Sequence, residues 1–168
     1  MTFIAEYIWL DNNKQLRSKA RTIDISSDNW SQTIIDVSNI PKWTYDGSST
    51  GQATGHDSEI TLIPRKIFWD PRREGENIFV ICDTYDSKGN PTKSNTRHFA
   101  NKIFNNPSCK EQEPWFGLEQ EYVLMSVKTH KPLGWPENGV PEAQGKYYCG
   151  VGQGKVFGRN IVEKHYKY

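Results

Sequence analysis

Glu119 and Glu121 stand two residues apart in the run Trp115-Phe116-Gly117-Leu118-Glu119-Gln120-Glu121-Tyr122-Val123-Leu124-Met125. Aromatic, β-branched and aliphatic residues dominate this run and Pro114 precedes it, so it predicts a strand. Alternation along a strand puts Gly117, Glu119 and Glu121 on one face and Phe116, Leu118, Gln120, Tyr122 and Leu124 on the other. Two carboxylates on one face, about 6–7 Å apart at the backbone, repel each other. A hard divalent cation such as Mg²⁺ or Mn²⁺ removes that conflict, because it prefers oxygen ligands. Gly117 leaves room beside the pair. The plain alternative is a solvated strand face that happens to carry two glutamates.

Other candidates are weaker on spacing alone. Residues 46–55 are rich in Gly, Ser and Thr, which is loop composition, and Asp46-Gly47 is a hairpin signal. Asp46 and Ser49 therefore read equally as parts of a turn or of a functional loop. Gly150-Val151-Gly152-Gln153-Gly154-Lys155 fails the phosphate-loop pattern, since Cys149 stands where the first Gly belongs and Val156 replaces Ser/Thr. It reads as a flexible connector. His56, His98, His130 and His165 show no paired ligand spacing.

The elements that must position these residues begin with two strands, Phe3 to Leu10 and Leu16 to Ile23. Asp11-Asn12-Asn13-Lys14 between them is turn chemistry, so a hairpin is expected. Asp24 to Asn39 is mixed, with a short helix or loop at Asp28-Asn29-Trp30-Ser31. Glu59 to Ile63 reads as a short strand, and Pro64, Pro71, Arg72 and Arg73 as a turn-rich connection. Ile78 to Tyr85 reads as a buried strand closed by Asp86 to Pro91. Ser94-Asn95 can cap a helix from Thr96 to about Asn105, with Phe99, Ile103 and Phe104 on its apolar side and Asn106-Pro107 stopping it. Leu133 to Gly158 is loop-like. Asn160 with Glu163 three residues later resembles a capping box, and the helix so begun has only about eight residues in which to run.

The 168 residues suffice for a buried core. They are 35% hydrophobic and 12% aromatic, and six Trp, eight Tyr and seven Phe supply bulky burial. A net charge of +1, spread along the chain, argues against an electrostatic nucleic-acid or membrane binder. Cys82, Cys109 and Cys149 form an odd, scattered set without C-x-x-C spacing, so a disulfide framework or zinc site is not expected and a reducing cytoplasm is. Met1 to Glu6 has no basic n-region, so no signal peptide is expected, and no apolar run reaches transmembrane length.

Taken together, four ordered blocks resemble eukaryotic-type glutamine synthetase (glutamate–ammonia ligase). They are Tyr45 to Thr50 followed by Asp57-Ser58-Glu59; Trp115 to Tyr122; Pro132-Leu133-Gly134-Trp135-Pro136; and Tyr147 to Gly152 followed by Phe157 to Tyr166. The resemblance covers nearly the whole chain, whereas family members continue for at least as much again beyond Tyr168.

The resemblance implies an α+β protein: a β-grasp N-terminal domain over residues 1–89, a linker at 90–95, and at 96–168 the beginning of the catalytic domain. It implies ATP-dependent ligation of ammonia to L-glutamate through γ-glutamyl phosphate, with Mg²⁺ or Mn²⁺ as cofactor. By the same resemblance Glu121 is a ligand of the metal nearer glutamate and Glu119 of the metal nearer the ATP phosphates. Trp115 lies near the nucleotide. Asp46 binds ammonium with Ser49 close by, helps deprotonate it, and serves the site of a neighbouring subunit. The implied partners are L-glutamate, ammonium, ATP and further copies of the chain in a decamer-like homo-oligomer. Two other functions remain open at this point: a fragment that joins an oligomer without turnover, and a carbohydrate hydrolase using Glu119 and Glu121 as its carboxylate pair. The hydrolase leaves the Asp46 to Thr50 block without a role.

Overall fold

A computed structural model describes residues 2–24 and 36–168. The stretch Asp28-Asn29-Trp30-Ser31, expected as a short helix or loop, lies outside the described residues. The chain divides into two compact units, Met1–Pro114 and Trp115–Tyr168.

The first unit is a mixed, curled five-stranded sheet with few helices, an α+β arrangement. Its strands are β1 (Thr2–Leu10), β2 (Leu16–Asp24), β3 (Trp43–Asp46), β4 (Glu59–Trp69) and β5 (Ile78–Tyr85), in the order β2-β1-β5-β4-β3. Only β1 and β5 run parallel. On β1, Phe3, Ala5, Tyr7 and Trp9 are buried in the core, and Glu6 on the other face is also buried. β2 is an edge strand, and its Arg17, Lys19 and Arg21 are the charges that discourage pairing with another chain. β5 is central and buried along most of its length, which explains its near-continuous apolar run.

The expected β1–β2 hairpin is present, in register from Thr2 opposite Asp24 to Leu10 opposite Leu16. Asp11 builds its turn. Asp11 Oδ1 accepts from the amides of Asn13 (2.8 Å) and Gln15 (2.9 Å), and Oδ2 accepts from Arg17 Nε at 2.9 Å. β4 is longer than the sequence suggested. Pro64 does not end it, because a bulge between Pro64 and Lys66 shifts the register and absorbs the missing amide.

The sheet curls because its inward rings meet across it. Tyr7 packs edge-on against Trp43, with ring centroids 5.3 Å apart, and Trp9 lies over Tyr45 at 4.4 Å. β1 and β3 share no ladder, and these rings join them across the sheet. Ile40 plugs the same core, and the Tyr7 hydroxyl donates to the Pro41 carbonyl at 2.7 Å. Lys19 then links the two edge strands: its Nζ donates to the Thr44 carbonyl at 2.8 Å and sits 3.6 Å from the centre of the Trp43 ring.

α1 (Thr96–Phe104) begins where the sequence placed it, with Asn95 Oδ1 accepting from the His98 amide at 3.1 Å. The Asn95 side chain also donates to the Thr84 carbonyl at 3.0 Å, fastening the cap to β5. Asn106-Pro107 ends α1 but also starts another turn, α2 (Pro107–Glu111), because Asn106 caps the Ser108 amide and proline suits a first helical position. Behind α1, Asp83 is buried between Arg65 Nε (2.7 Å) and Arg97 Nη1 (3.0 Å).

In the second unit, Met125 and Pro132 form a bridge that closes the 126–131 turn, with Leu133 N donating to Leu124 O at 2.7 Å. The strand expected over 115–125 is not formed beyond this bridge. A strand is stable only when paired, and no other described segment pairs with it. The apolar face read from alternation is mostly uncovered, with Phe116 72% and Leu118 98% exposed. α3 (Arg159–Tyr166) starts earlier than the Asn160 cap implied. Gly158, in left-handed conformation (φ +70°), caps it without a side-chain bond, since Leu124 and Leu133 occupy the space a Cβ would need. No described helix is long and apolar enough to cross a membrane.

One further cluster gives the first unit a pH dependence. Asp70 and Glu6 share Arg72 and Arg73, and the Arg72 amide donates to Asp70 Oδ1 at 2.9 Å. Burial pushes both carboxyls up. The Arg72 amide and the two guanidiniums at Asp70, and the Ser18 hydroxyl with the same guanidiniums at Glu6, outweigh it and hold both below the usual carboxylate range. Folded-state values below the unfolded ones give stability that is present above about pH 4 and is lost as pH falls through the folded values. Asp70→Asn should therefore lower the unfolding free energy at pH 7, from urea titration, by about 1–2 kcal/mol, discounted because the arginines are partly exposed, and should flatten the acid limb of the stability-against-pH curve. An unchanged acid limb would show that these bonds do not govern it.

Candidate functional site

Asp46 is the last residue of β3 and caps the 3-10 turn Gly47–Thr50. Its Oδ1 accepts from the Ser48 hydroxyl at 2.6 Å and the Ser48 amide at 2.9 Å. Those two bonds, hydroxyl first, hold the carboxyl below the usual range, so Asp46 stays anionic and exposed. Ser49 sits in the middle of the turn and is also exposed. Asp46 stands opposite Glu59 in the β3–β4 ladder, so this end of the sheet carries two acidic residues. Such a place repels anions and attracts cations.

Gly47 makes the turn possible. It is buried, its amide donates to the Ser58 carbonyl at 2.6 Å, and a Cβ there would run into the side chain of fully buried Ile60. Gly51 closes the turn in left-handed conformation, φ +69°.

Glu119, Glu121 and Trp115 lie in the second unit, and all three are exposed. The space around Gly117 is open, with nothing within 4 Å of where a Cβ would stand. The donor chemistry of the pair fits a hard cation, since both side chains offer carboxylate oxygens. Among the described residues no group of three or more His, Cys, Asp or Glu comes together. Glu119 and Glu121 would thus hold a metal as two donors of a shell of about six.

Sequence reasoning named Asp46, Ser49, Trp115, Glu119 and Glu121 but missed what shapes the first of these loops, namely Gly47 against Ile60 and the side chain of Gln52. Those contacts join residues far apart in the chain and leave no local pattern.

Comparison with known proteins bears on the whole chain. It is 54% identical over 165 residues to the glutamine synthetase nodule isozyme of Lupinus luteus, a match covering 98% of this chain and 45% of that relative. It is 53% identical over 165 residues to the glutamine synthetase cytosolic isozyme 1-1 of Oryza sativa subsp. japonica, covering 98% of this chain and 44% of the relative. The chain is homologous to the glutamine synthetases. A chloroplastic leaf isozyme of glutamine synthetase from Hordeum vulgare, 54% identical over 165 residues, is matched over 98% of this chain and 36% of its own length. No protein-family model matches the chain. It spans less than half the length of these glutamine synthetases, which fits the N-terminal part expected from the resemblance.

The Gly47–Ile60 contact makes a stability prediction. Gly47→Ala should cost about 1–3 kcal/mol by overpacking. Ile60→Ala should cost about 2–5 kcal/mol. The double variant should be less destabilised than the sum by about 0.5–3 kcal/mol, because removing the Ile60 side chain makes room for the new methyl. Urea titration of the four proteins measures this, and strict additivity would show that the two sites do not touch.

Proposed function

We propose that this chain is the N-terminal part of a glutamine synthetase, contributing to ATP-dependent ligation of ammonia to L-glutamate. The observation that carries this is 52–54% identity to glutamine synthetases over 98% of the chain. In the proposed reaction the glutamate γ-carboxylate takes the terminal phosphoryl group of ATP. Ammonia then attacks the γ-carbon and phosphate leaves. The activity belongs to an assembly that includes the remainder of the enzyme, since the chain spans 36–45% of these relatives.

Residue roles follow the resemblance. Glu121 and Glu119 are proposed ligands of Mg²⁺ or Mn²⁺, which when bound neutralises phosphate charge and orients the transfer. Trp115 is proposed to lie near the nucleotide. Asp46, kept anionic by Ser48, is proposed to hold ammonium near Ser49 and take its proton, a role its exposed carboxylate suits. Asp46 is proposed to act on the Glu119–Glu121 face of a neighbouring copy in a homo-oligomer. Residues 1–89 are proposed to form a β-grasp domain and 96–168 the opening of the catalytic domain, joined at 90–95. The curled sheet with β1 and β5 parallel supports the first of these. A cytoplasmic home is proposed on the cytosolic isozymes among the relatives.

The test uses a polypeptide in which this chain is continued by the remainder of a glutamine synthetase. Glu119→Ala and Glu121→Ala should each lower glutamine formation by roughly 10²-fold or more, with Gln120→Ala much milder. Mixed oligomers of Asp46→Ala and Glu121→Ala chains should regain activity that neither parent has. Equal losses at 119, 120 and 121 with folding intact would overturn the metal assignment. No recovery in verified mixed oligomers would overturn the arrangement across subunits.

A further inference from the structure

Gln52 is half-buried just past the Gly47–Thr50 turn, and every polar atom of its side-chain amide is engaged. Its Oε1 accepts from the Tyr45 hydroxyl at 2.5 Å and the Thr50 hydroxyl at 2.8 Å. Its Nε2 donates to the Leu10 carbonyl at 3.1 Å and the Ser94 hydroxyl at 2.9 Å. The orientation of the amide is fixed by chemistry, because a backbone carbonyl can only accept and must face the nitrogen. The Gln52 main chain belongs to the loop as well, its amide donating to the Gly47 carbonyl at 2.8 Å.

Four separate pieces of the first unit therefore converge on one side chain. Tyr45 is the neighbour of Asp46 on β3, and Thr50 is the last residue of the turn that Asp46 caps. Leu10 ends β1. Ser94 lies in the segment leading into α1, beside Thr92, whose hydroxyl is 2.6 Å from that of Thr84 on β5. The Asn12 amide adds a main-chain tie from the hairpin turn to the Thr50 carbonyl at 3.2 Å. Without Gln52, the Asp46 loop would keep its internal bonds to Ser48 and Ser58 but lose its side-chain anchors to β1 and to the approach to α1.

We propose that Gln52 is the positioning residue of the Asp46 loop, fixing where that carboxylate is displayed and coupling it to the 92–95 segment that begins α1. For ammonium handling this rests on the function proposed above; as a statement about the loop it does not. Glutamine is suited to the task because it is uncharged and offers two donors and two acceptors. Glutamate in its place would accept from Tyr45 and Thr50 but face the Leu10 carbonyl with a second acceptor. It would therefore leave the loop's inner bonds and break its outer ones.

The experiment compares the 168-residue chain with its Gln52→Ala and Gln52→Glu variants by NMR. Both should speed amide exchange at Gly47–Gln52 and at Asn95 and Thr96 by roughly tenfold. Exchange at Tyr7 and Val80, in the middle of β1 and β5, should stay unchanged, which a general loss of stability would not allow. In the continued enzyme, Gln52→Glu should raise KM for ammonium several-fold more than KM for glutamate. Unchanged loop exchange in Gln52→Ala would overturn the positioning role. Altered exchange with KM values for ammonium and glutamate moving together would keep that role and remove Asp46 from ammonium binding.

Discussion

Two ring contacts hold together strands that share no hydrogen bond. Tyr7 against Trp43 and Trp9 against Tyr45 draw β3 across the concave face onto β1. Each such pair contributes about 0.5–1.5 kcal/mol beyond the area it buries. Lys19 completes the closure by lying on Trp43 and reaching Thr44, so an edge strand at one side of the sheet is fastened to the edge strand at the other. Burial and the neighbouring Arg21 lower the pKa of Lys19, yet the contact with the ring face favours a cation there. The end of β3, and with it Asp46, stands where these rings put it.

Much of this sheet was legible in the sequence because its signals are local. The strand-forming runs at Phe3 to Leu10 and Leu16 to Ile23, the turn chemistry of residues 11–14 and the apolar run of β5 each report a single element. Pro64 misled because a proline ends a strand only when its missing amide is needed, and a bulge supplies the exception. The cap of α3 was misplaced for a related reason. Asn160 with Glu163 fits a capping pattern, but Gly158 lies where Leu124 and Leu133 leave no room for a side chain, and the helix starts from there.

The candidate site was legible only as chemistry. Asp46, Ser49, Glu119 and Glu121 could be picked out from residue type, spacing and resemblance. What holds the first pair in place could not. Gly47 matters because of Ile60, thirteen residues on and in another strand. Gln52 matters through Leu10 and Ser94, each 42 residues away. For 115–125 the strand expectation failed, because alternation specifies which way side chains would point in a strand and not whether a neighbouring strand exists to receive the backbone.

The parallel pairing of β1 with β5 also constrains the order of events during synthesis. The hairpin of β1 and β2 closes over a five-residue turn and can form as soon as residues 2–24 are free, on the microsecond scale of such motifs. The other edge of β1 must wait for β5, whose approach is marked by the Ile4 amide donating to Asn77, 73 residues later. At ribosomal speeds of about 5–20 residues per second, β1 spends several seconds with that edge open. Its most apolar residues, Phe3, Ile4, Tyr7, Ile8 and Trp9, are then available to chaperones or to another nascent chain. Of the five strands of this sheet, the earliest in the chain is among the last to be finished.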